Sequence, residues 1–456
     1  MYRFETTLAN VLWECGRSIV QMAYNRLEPD DPQLLPRQIC VGLSCYRRNR
    51  KTRSTISTLF GKVRVRRFIY QALEAGESGI FPLELALGLT AGQATPALAD
   101  VVGRLIADLP QQQTLAVLQE RYRLCWSVAT LRKVTEALAR TLEPLRHDAQ
   151  VTYLVDLLQK AHKSSGNGRP SLVVGRDGIM TPMRDSWQEA CTASITVYDP
   201  KGNRLGTTYL GRMPESGQET MTRQLTALLR DVLAAWNGPL PRLHDVTDAG
   251  HPPQDYFRSV LSRMKHPRTN ARLRWTWSVD FFHAAERITV LAEALFGFTP
   301  AAKAWAEKQR KILKTRSNGA VRVVQAARAL RRSRGLKRDR RKFGEALTYL
   351  WKYREYMAYA RYKRNGLPIG SGVTEAACKT IFTQRFKLSG MRWHKDSGQN
   401  VLDLRVILRG GVWRYVRKRW LKLPISCNLP KSAAARAKTA WFSCYLCDCT
   451  PSARAP

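Results

Sequence analysis

Long apolar runs are missing from this chain of 456 residues. No segment approaches the roughly 20 consecutive apolar residues that a membrane span requires. The opening Met1-Tyr-Arg-Phe-Glu-Thr-Thr-Leu carries an early acid and no apolar stretch of signal-peptide length. The expectation is a cytoplasmic protein with no membrane partner. Acids are scarce too: 36 Asp and Glu stand against 75 Lys and Arg, a formal net charge of +39. Solubility needs far less, so a polyanionic partner is the natural reading. Charge alone does not separate an enzyme from a ribosomal-type or merely cationic protein; catalytic carboxylates must do that.

Complete zinc-ligand sets are also lacking. The chain has 10 cysteines, and Cys15, Cys125, Cys191 and Cys378 stand singly, as reduced thiols do in a reducing compartment. Cys40 and Cys45, and the cluster Cys444, Cys447 and Cys449, each offer part of a zinc site but not four ligands at finger or ribbon spacing. Free thiols are the alternative for both groups.

What is present begins with 44% apolar residues, enough for two or three domains with their own cores. Residues 1–80 form an N-terminal region in which Ser54 to Leu73 alternates apolar residues with arginines, the period of a basic β-hairpin. Residues 81–160 carry helical periodicity, with short helices expected at Ala99–Leu109, Gln112–Tyr122 and Val128–Ala139, the last capped by Ser127. Such a trihelical unit is like a helix-turn-helix, with Arg132 and Lys133 near the start of its third helix, where DNA contacts are made. After a polar linker from His162 to Pro170 the texture becomes α/β over residues 171–283. Strands are expected at Ser171–Asp177, Ala190–Val197, Arg204–Gly211, Pro241–Asp248 and Trp275–Phe282, with a helix at Thr220–Asn237 between the third and fourth. Three strands, a helix and then further strands is the order of an RNase H-like core. Residues 284–365 read as a basic helical insertion whose run from Arg310 to Lys342, including Arg331, Arg332 and Arg334, holds Asp339 as its only acid; like charges this dense favour a bound polyanion. Residues 366–420 resume the core, and 421–456 form a C-terminal tail.

The densest chemistry lies in Pro368-Ile-Gly-Ser-Gly-Val-Thr-Glu-Ala-Ala-Cys-Lys379. Glu375 follows a Gly-Ser-Gly turn at the head of a helix, with Lys379, Arg385, Lys387 and Arg392 nearby and Trp393 beyond. A lone carboxylate among cations is suited to holding a divalent ion against a phosphate backbone. Asp177 and Asp248 each end an expected strand. Three acids in this order could hold two Mg²⁺ or Mn²⁺ ions about 3.5 to 4 Å apart. Asp245 competes with Asp248, but a strand's period of two puts them on different faces, and Asp248 is preferred for its place at the Thr-Asp-Ala-Gly-His turn. Asp280 and His283 are candidates for active-site support. Lys387 and Arg392 are expected to reach phosphates and Trp393 to stack on a base, or to form a surface cluster over a core Trp.

Gly-Arg-Asp177-Gly, Thr-Asp248-Ala-Gly, Val-Asp280-Phe-Phe-His283-Ala, the Glu375 motif, Arg-Phe-Lys-Leu-Ser-Gly-Met-Arg-Trp393 and Gln399-Asn-Val-Leu-Asp-Leu-Arg405 together resemble the ISKra group of bacterial insertion-sequence transposases, of the DDE type. The likeness runs over roughly residues 54 to 415. It implies an α/β protein with an RNase H-like catalytic core interrupted by the helical insertion, and Asp177, Asp248 and Glu375 as a catalytic, metal-holding triad. It also implies double-stranded DNA, both element ends and target, as substrate, a nucleoid-associated location and a homodimer or larger active complex. Two departures stand out. Such proteins usually have Gly-Ala after the second Asp, where this chain has Ala249-Gly250, and the full N-terminal zinc-ribbon cysteine set of some relatives is missing. Two other readings stay open: a catalytically inactive transposase-derived DNA-binding protein, and an RNase H-like nuclease without strand transfer.

Overall fold

A computed structural model describes residues 1–41, 44–74, 78–166 and 168–423. The C-terminal cysteine cluster lies outside the described residues. The chain forms two compact units, one of Met1–Leu145 with Val416–Pro456, the other of Arg146–Tyr415.

The first unit opens with a 25-residue helix, α1 (Tyr2–Arg26), followed by an antiparallel sheet in the order β1 (Gln38–Val41), β2 (Ser44–Thr58), β3 (Gly61–Ala72). The expected basic hairpin is β2–β3. On β3, Val63 and Val65 are buried in one apolar cluster and Phe68 and Tyr70 in another, while Lys62, Arg64 and Arg66 stay exposed. The period of two holds on either side of Arg66–Arg67 and shifts phase there, just ahead of the stretch paired with the irregularity of β2 between Arg48 and Lys51. The free edge of β3 is covered by side chains from α1 and the residues after it. Gln21 accepts from the N–H of Arg64, Asn25 from Arg66 and Glu28 from Phe68, at 2.8, 2.8 and 2.7 Å. An open sheet edge is thereby closed without a further strand. Cys40 and Cys45, read as thiols or partial zinc ligands, are instead joined in a disulfide, because the register of β1 on β2 makes them direct cross-strand partners.

A short α2 (Pro82–Ala86) precedes the three expected helices, α3 (Pro96–Asp108), α4 (Gln111–Tyr122) and α5 (Val128–Lys163). Ser127 caps α5 as expected, its Oγ accepting from the Thr130 N–H at 3.1 Å. The end of α5 departs from expectation: it runs for 36 residues through Pro144. Leu138, Leu142, Leu154, Leu157 and Leu158 keep a buried stripe going past the proline, and that burial outweighs one missing backbone bond.

The second unit is mixed α/β. Its sheet, in the order β6-β5-β4-β7-β8, comprises β4 (Ser171–Pro182), β5 (Trp187–Tyr198), β6 (Arg204–Arg212), β7 (Arg242–Thr247) and β8 (Trp275–Val279). β4, β5 and β6 are antiparallel neighbours, whereas β7 and β8 run parallel to β4. The parallel steps need crossovers, supplied by α6 (Glu219–Ala235) and α7 (His251–Ser259). The strands expected from sequence are all present, the fifth three residues shorter because Asp280 caps the next helix. That helix, α8 (Phe281–Phe296), and α9 (Pro300–Thr315), α10 (Gly319–Arg334), α11 (Arg340–Lys352) and α12 (Tyr359–Arg364) build the insertion around an apolar core that also takes in Trp277 and Val279 of β8. Tyr353, Tyr359 and Tyr362 are buried in it, so packing explains these aromatics. The chain returns through α13 (Gly372–Ala377), a π-helical turn (Cys378–Thr383) and α14 (Gln384–Phe386), then α15 (Lys395–Arg409) and α16 (Trp413–Trp420). Among the described residues no helix is long and apolar enough to cross a membrane.

Candidate active site

β4 and β7 are parallel, with Val173 opposite His244 and Val174 opposite Asp245. Val174 faces the core shared with α6, so its partner Asp245 points the same way, towards Arg176. There Asp245 is fully buried, and burial pushes its carboxyl well above the usual range while Arg176 pulls it back. Asp177 lies on the other face of β4, where α13 is packed. Asp245 is therefore a core residue. Asp248, just past the end of β7, is the acid whose charge reaches Asp177.

α13 sits close to the sheet because residue 175 is glycine. A Cβ there would lie 1.9 Å from Thr374 Oγ1, and Thr374 also shares a 2.8 Å hydrogen bond with Ser194 of β5. This approach brings Glu375 and Cys378 over Asp177. Gly178 N–H donates to Asp177 Oδ1 at 2.8 Å, and the Cys378 thiol donates to Oδ2 at 3.2 Å. Burial raises the Asp177 carboxyl above its ordinary range, and the charges of Asp248 and Glu375 raise it further, against the two hydrogen bonds. Cys378 is itself pushed up, chiefly by burial and then by Asp177, so its sulfur stays a protonated donor. The two residues are 201 positions apart, and nothing in that spacing pointed to the thiol–carboxylate pair.

Glu375 is exposed, and the hydroxyl of Ser371 donates to its Oε1 at 2.9 Å. His283 Nε2 lies 3.9 Å from the same oxygen. Asp280 is completely buried and acts as a clamp. Its Oδ1 accepts from the N–H groups of Phe282 and His283 at the start of α8, and its Oδ2 accepts from Ser371 N–H. Asp248 Oδ1 accepts from Gly250 N–H at 2.8 Å, across an Ala249 held at φ 66°. Three carboxylates with like-charge coupling and only oxygen donors suit a hard divalent cation. Among the described residues no three acidic, His or Cys side chains yet converge at ligand spacing.

The cations divide into two groups. Lys379 and Arg392 are exposed, and Lys387 is half-buried with its ammonium 5.4 Å from the ring of the exposed Trp187, an aromatic that the sequence motifs did not single out. Arg385 is not at the surface: it is buried, with Met391 Sδ 3.9 Å from its Nη1 and its guanidinium 5.1 Å from the Trp393 ring. Trp393 is half-buried, packs on Phe386 at 4.7 Å and donates from Nε1 to the Phe386 carbonyl. Both hold the segment after α14 together, and the burial of Arg385 corrects its expected place on the DNA-facing surface. Arg331, Arg332 and Arg334 are exposed in the last turn of α10, as are Arg132 and Lys133 on α5. Compared with protein-family models and with curated proteins, the chain matches neither.

Proposed function

We propose that this protein is a DDE-type transposase built on an RNase H-like core, which cuts the ends of its insertion sequence and joins them to target DNA. The observation that carries the reading is that the charges of Asp248 and Glu375, from two other elements, both act on the half-buried Asp177. Adjacent parallel strands bring Asp177 and Asp248, and a helix laid over Gly175 brings Glu375. The strand order, three antiparallel strands extended by two parallel ones, supports the core assignment.

In this reading Asp177, Asp248 and Glu375 hold two Mg²⁺ or Mn²⁺ ions. Bound there, the ions supply the activation of a water or 3′-hydroxyl and the neutralisation of the leaving oxygen. Gly178 and Cys378 fix the orientation of Asp177, while Ser371 and His283 fix that of Glu375. Asp280 sets the turn from which the Glu375 helix starts. Lys379 and Arg392 draw in the phosphate backbone, and the α10 arginines give further non-specific affinity.

The test is a gel assay with labelled DNA from the flanks of the reading frame and Mg²⁺ or Mn²⁺. Wild type should cut and join. Glu375→Gln should bind equally well yet fall in rate by about a thousand-fold or more, the order expected when a metal ligand is removed. Equal cleavage by the variant would move the chemistry elsewhere.

A further inference from the structure

α1 has two unlike faces. Trp13, Gly16, Val20, Gln21 and Tyr24 are partly buried and turn towards the hairpin. On the opposite side Phe4, Leu8, Val11, Leu12, Ile19 and Met22 are exposed, Phe4 by 65% and Leu12 by 61%. At about 100° per residue these six fall within about a third of the helix circumference, with the exposed thiol of Cys15 at the centre of the stripe. An apolar stripe this long is not explained by scattered surface residues.

We infer that this face binds its counterpart on a second copy of the chain, the two α1 helices packing antiparallel about a two-fold axis. The stripe is self-complementary in that direction. With Val11 set against Leu12 of the second copy, Leu8 meets Cys15 and Phe4 meets Ile19, so every layer pairs apolar with apolar, and symmetry repeats each layer. Charge argues for the same occupant. Two chains of +39 repel one another, but α1 carries Arg3, Arg17 and Arg26 against Glu5 and Glu14, a net of one positive charge, and neither acid nor base interrupts the stripe. This helix is a place where two such chains can touch at little electrostatic cost. Burying six half-exposed side chains on each copy removes on the order of 1,000 Å² from water, where specific interfaces begin. The inference needs nothing from the proposed chemistry, and it holds or fails by mass rather than by activity.

The experiment is sedimentation velocity on the full chain, nuclease-treated and in high salt, so that assemblies bridged by nucleic acid fall apart while an apolar interface persists. Wild type should sediment as a dimer at micromolar concentration. The combined substitution Leu8→Gln, Leu12→Gln and Ile19→Gln should sediment as a monomer with an unchanged circular dichroism spectrum, since those side chains do not face the hairpin. Alkylation of Cys15, followed by peptide mass, should be several-fold slower in wild type than in the variant. A monomeric wild type, a dimer that survives the triple substitution, or equal Cys15 reactivity would each overturn the inference.

Discussion

Asp177 takes its two side-chain hydrogen bonds from opposite ends of the sequence scale, one from the next residue and one from Cys378. The local bond joins neighbours within β4, so it needs only the strand. The thiol is not legible in the sequence, because only the approach of α13 to Gly175 brings it there. Removing it should be visible in the pH profile of cleavage. The thiol favours the ionised carboxylate, so Cys378→Ala should raise the Asp177 pKa further; the carboxylate that a cation needs then forms only at higher pH, and the acid limb of the rate should move up. Cys378→Ser, which restores a donor, should move it back, and superimposable profiles for all three proteins would remove Cys378 from the site. Ala249 is the second residue to separate sequence from structure. It occupies a left-handed conformation that glycine adopts freely, so the transposed Ala-Gly pair is a local strain and not a displaced Asp248. Ala249→Gly should raise the stability of the second unit by up to about 1 kcal/mol, measured by urea unfolding. A decrease in stability would mean that the alanine methyl packs more than it strains.

Among the elements, the strands of the second unit were legible because burial runs continuously along β5 from Ala190, whereas β1 and the start of β2, before Ser54, were not read from sequence. The length of α5 was not, because Pro144 reads as a stop until the leucines beyond it find a core. The burial of Arg385 was equally hidden: arginine is a surface residue by default, and only the fold puts rings around this one. The edge of β3 gives an element-level prediction. Burial, the largest effect, pushes the Glu28 carboxyl up to about 7 from 4.5, against the Phe68 N–H bond and the charges of Lys51 and Arg67. The folded state therefore keeps a proton that the unfolded chain releases, so this contribution to stability is full below 4.5 and is lost as pH rises through about 7. The decline should be about 3 kcal/mol at most. Glu28→Gln keeps an acceptor for Phe68 N–H and should flatten that part of the stability–pH curve, as followed by unfolding at a series of pH values. An unchanged slope would place the pH dependence on other groups.

For the whole molecule, the excess of positive charge is the dominant fact, and it is spread over separate surfaces instead of gathered at the carboxylates. Replacing Arg331, Arg332 and Arg334 together by Gln should weaken binding to DNA of any sequence and reduce the slope of log affinity against log salt by about one for each phosphate no longer neutralised. An unaltered slope would make the end of α10 a solvated face only. The Asp280 clamp has a further consequence at this scale. Phe281 N–H donates to the Ile369 carbonyl and Ser371 N–H to Asp280, so the chain leaves for the helical insertion and comes back through a single stitched neck. The insertion is thus tied to two of the acids at once: the neck sets where the Glu375 helix starts, and beyond it Tyr349 of α11 donates to the Asp248 carbonyl at 3.0 Å, so a change in these helices is felt on both sides of the site.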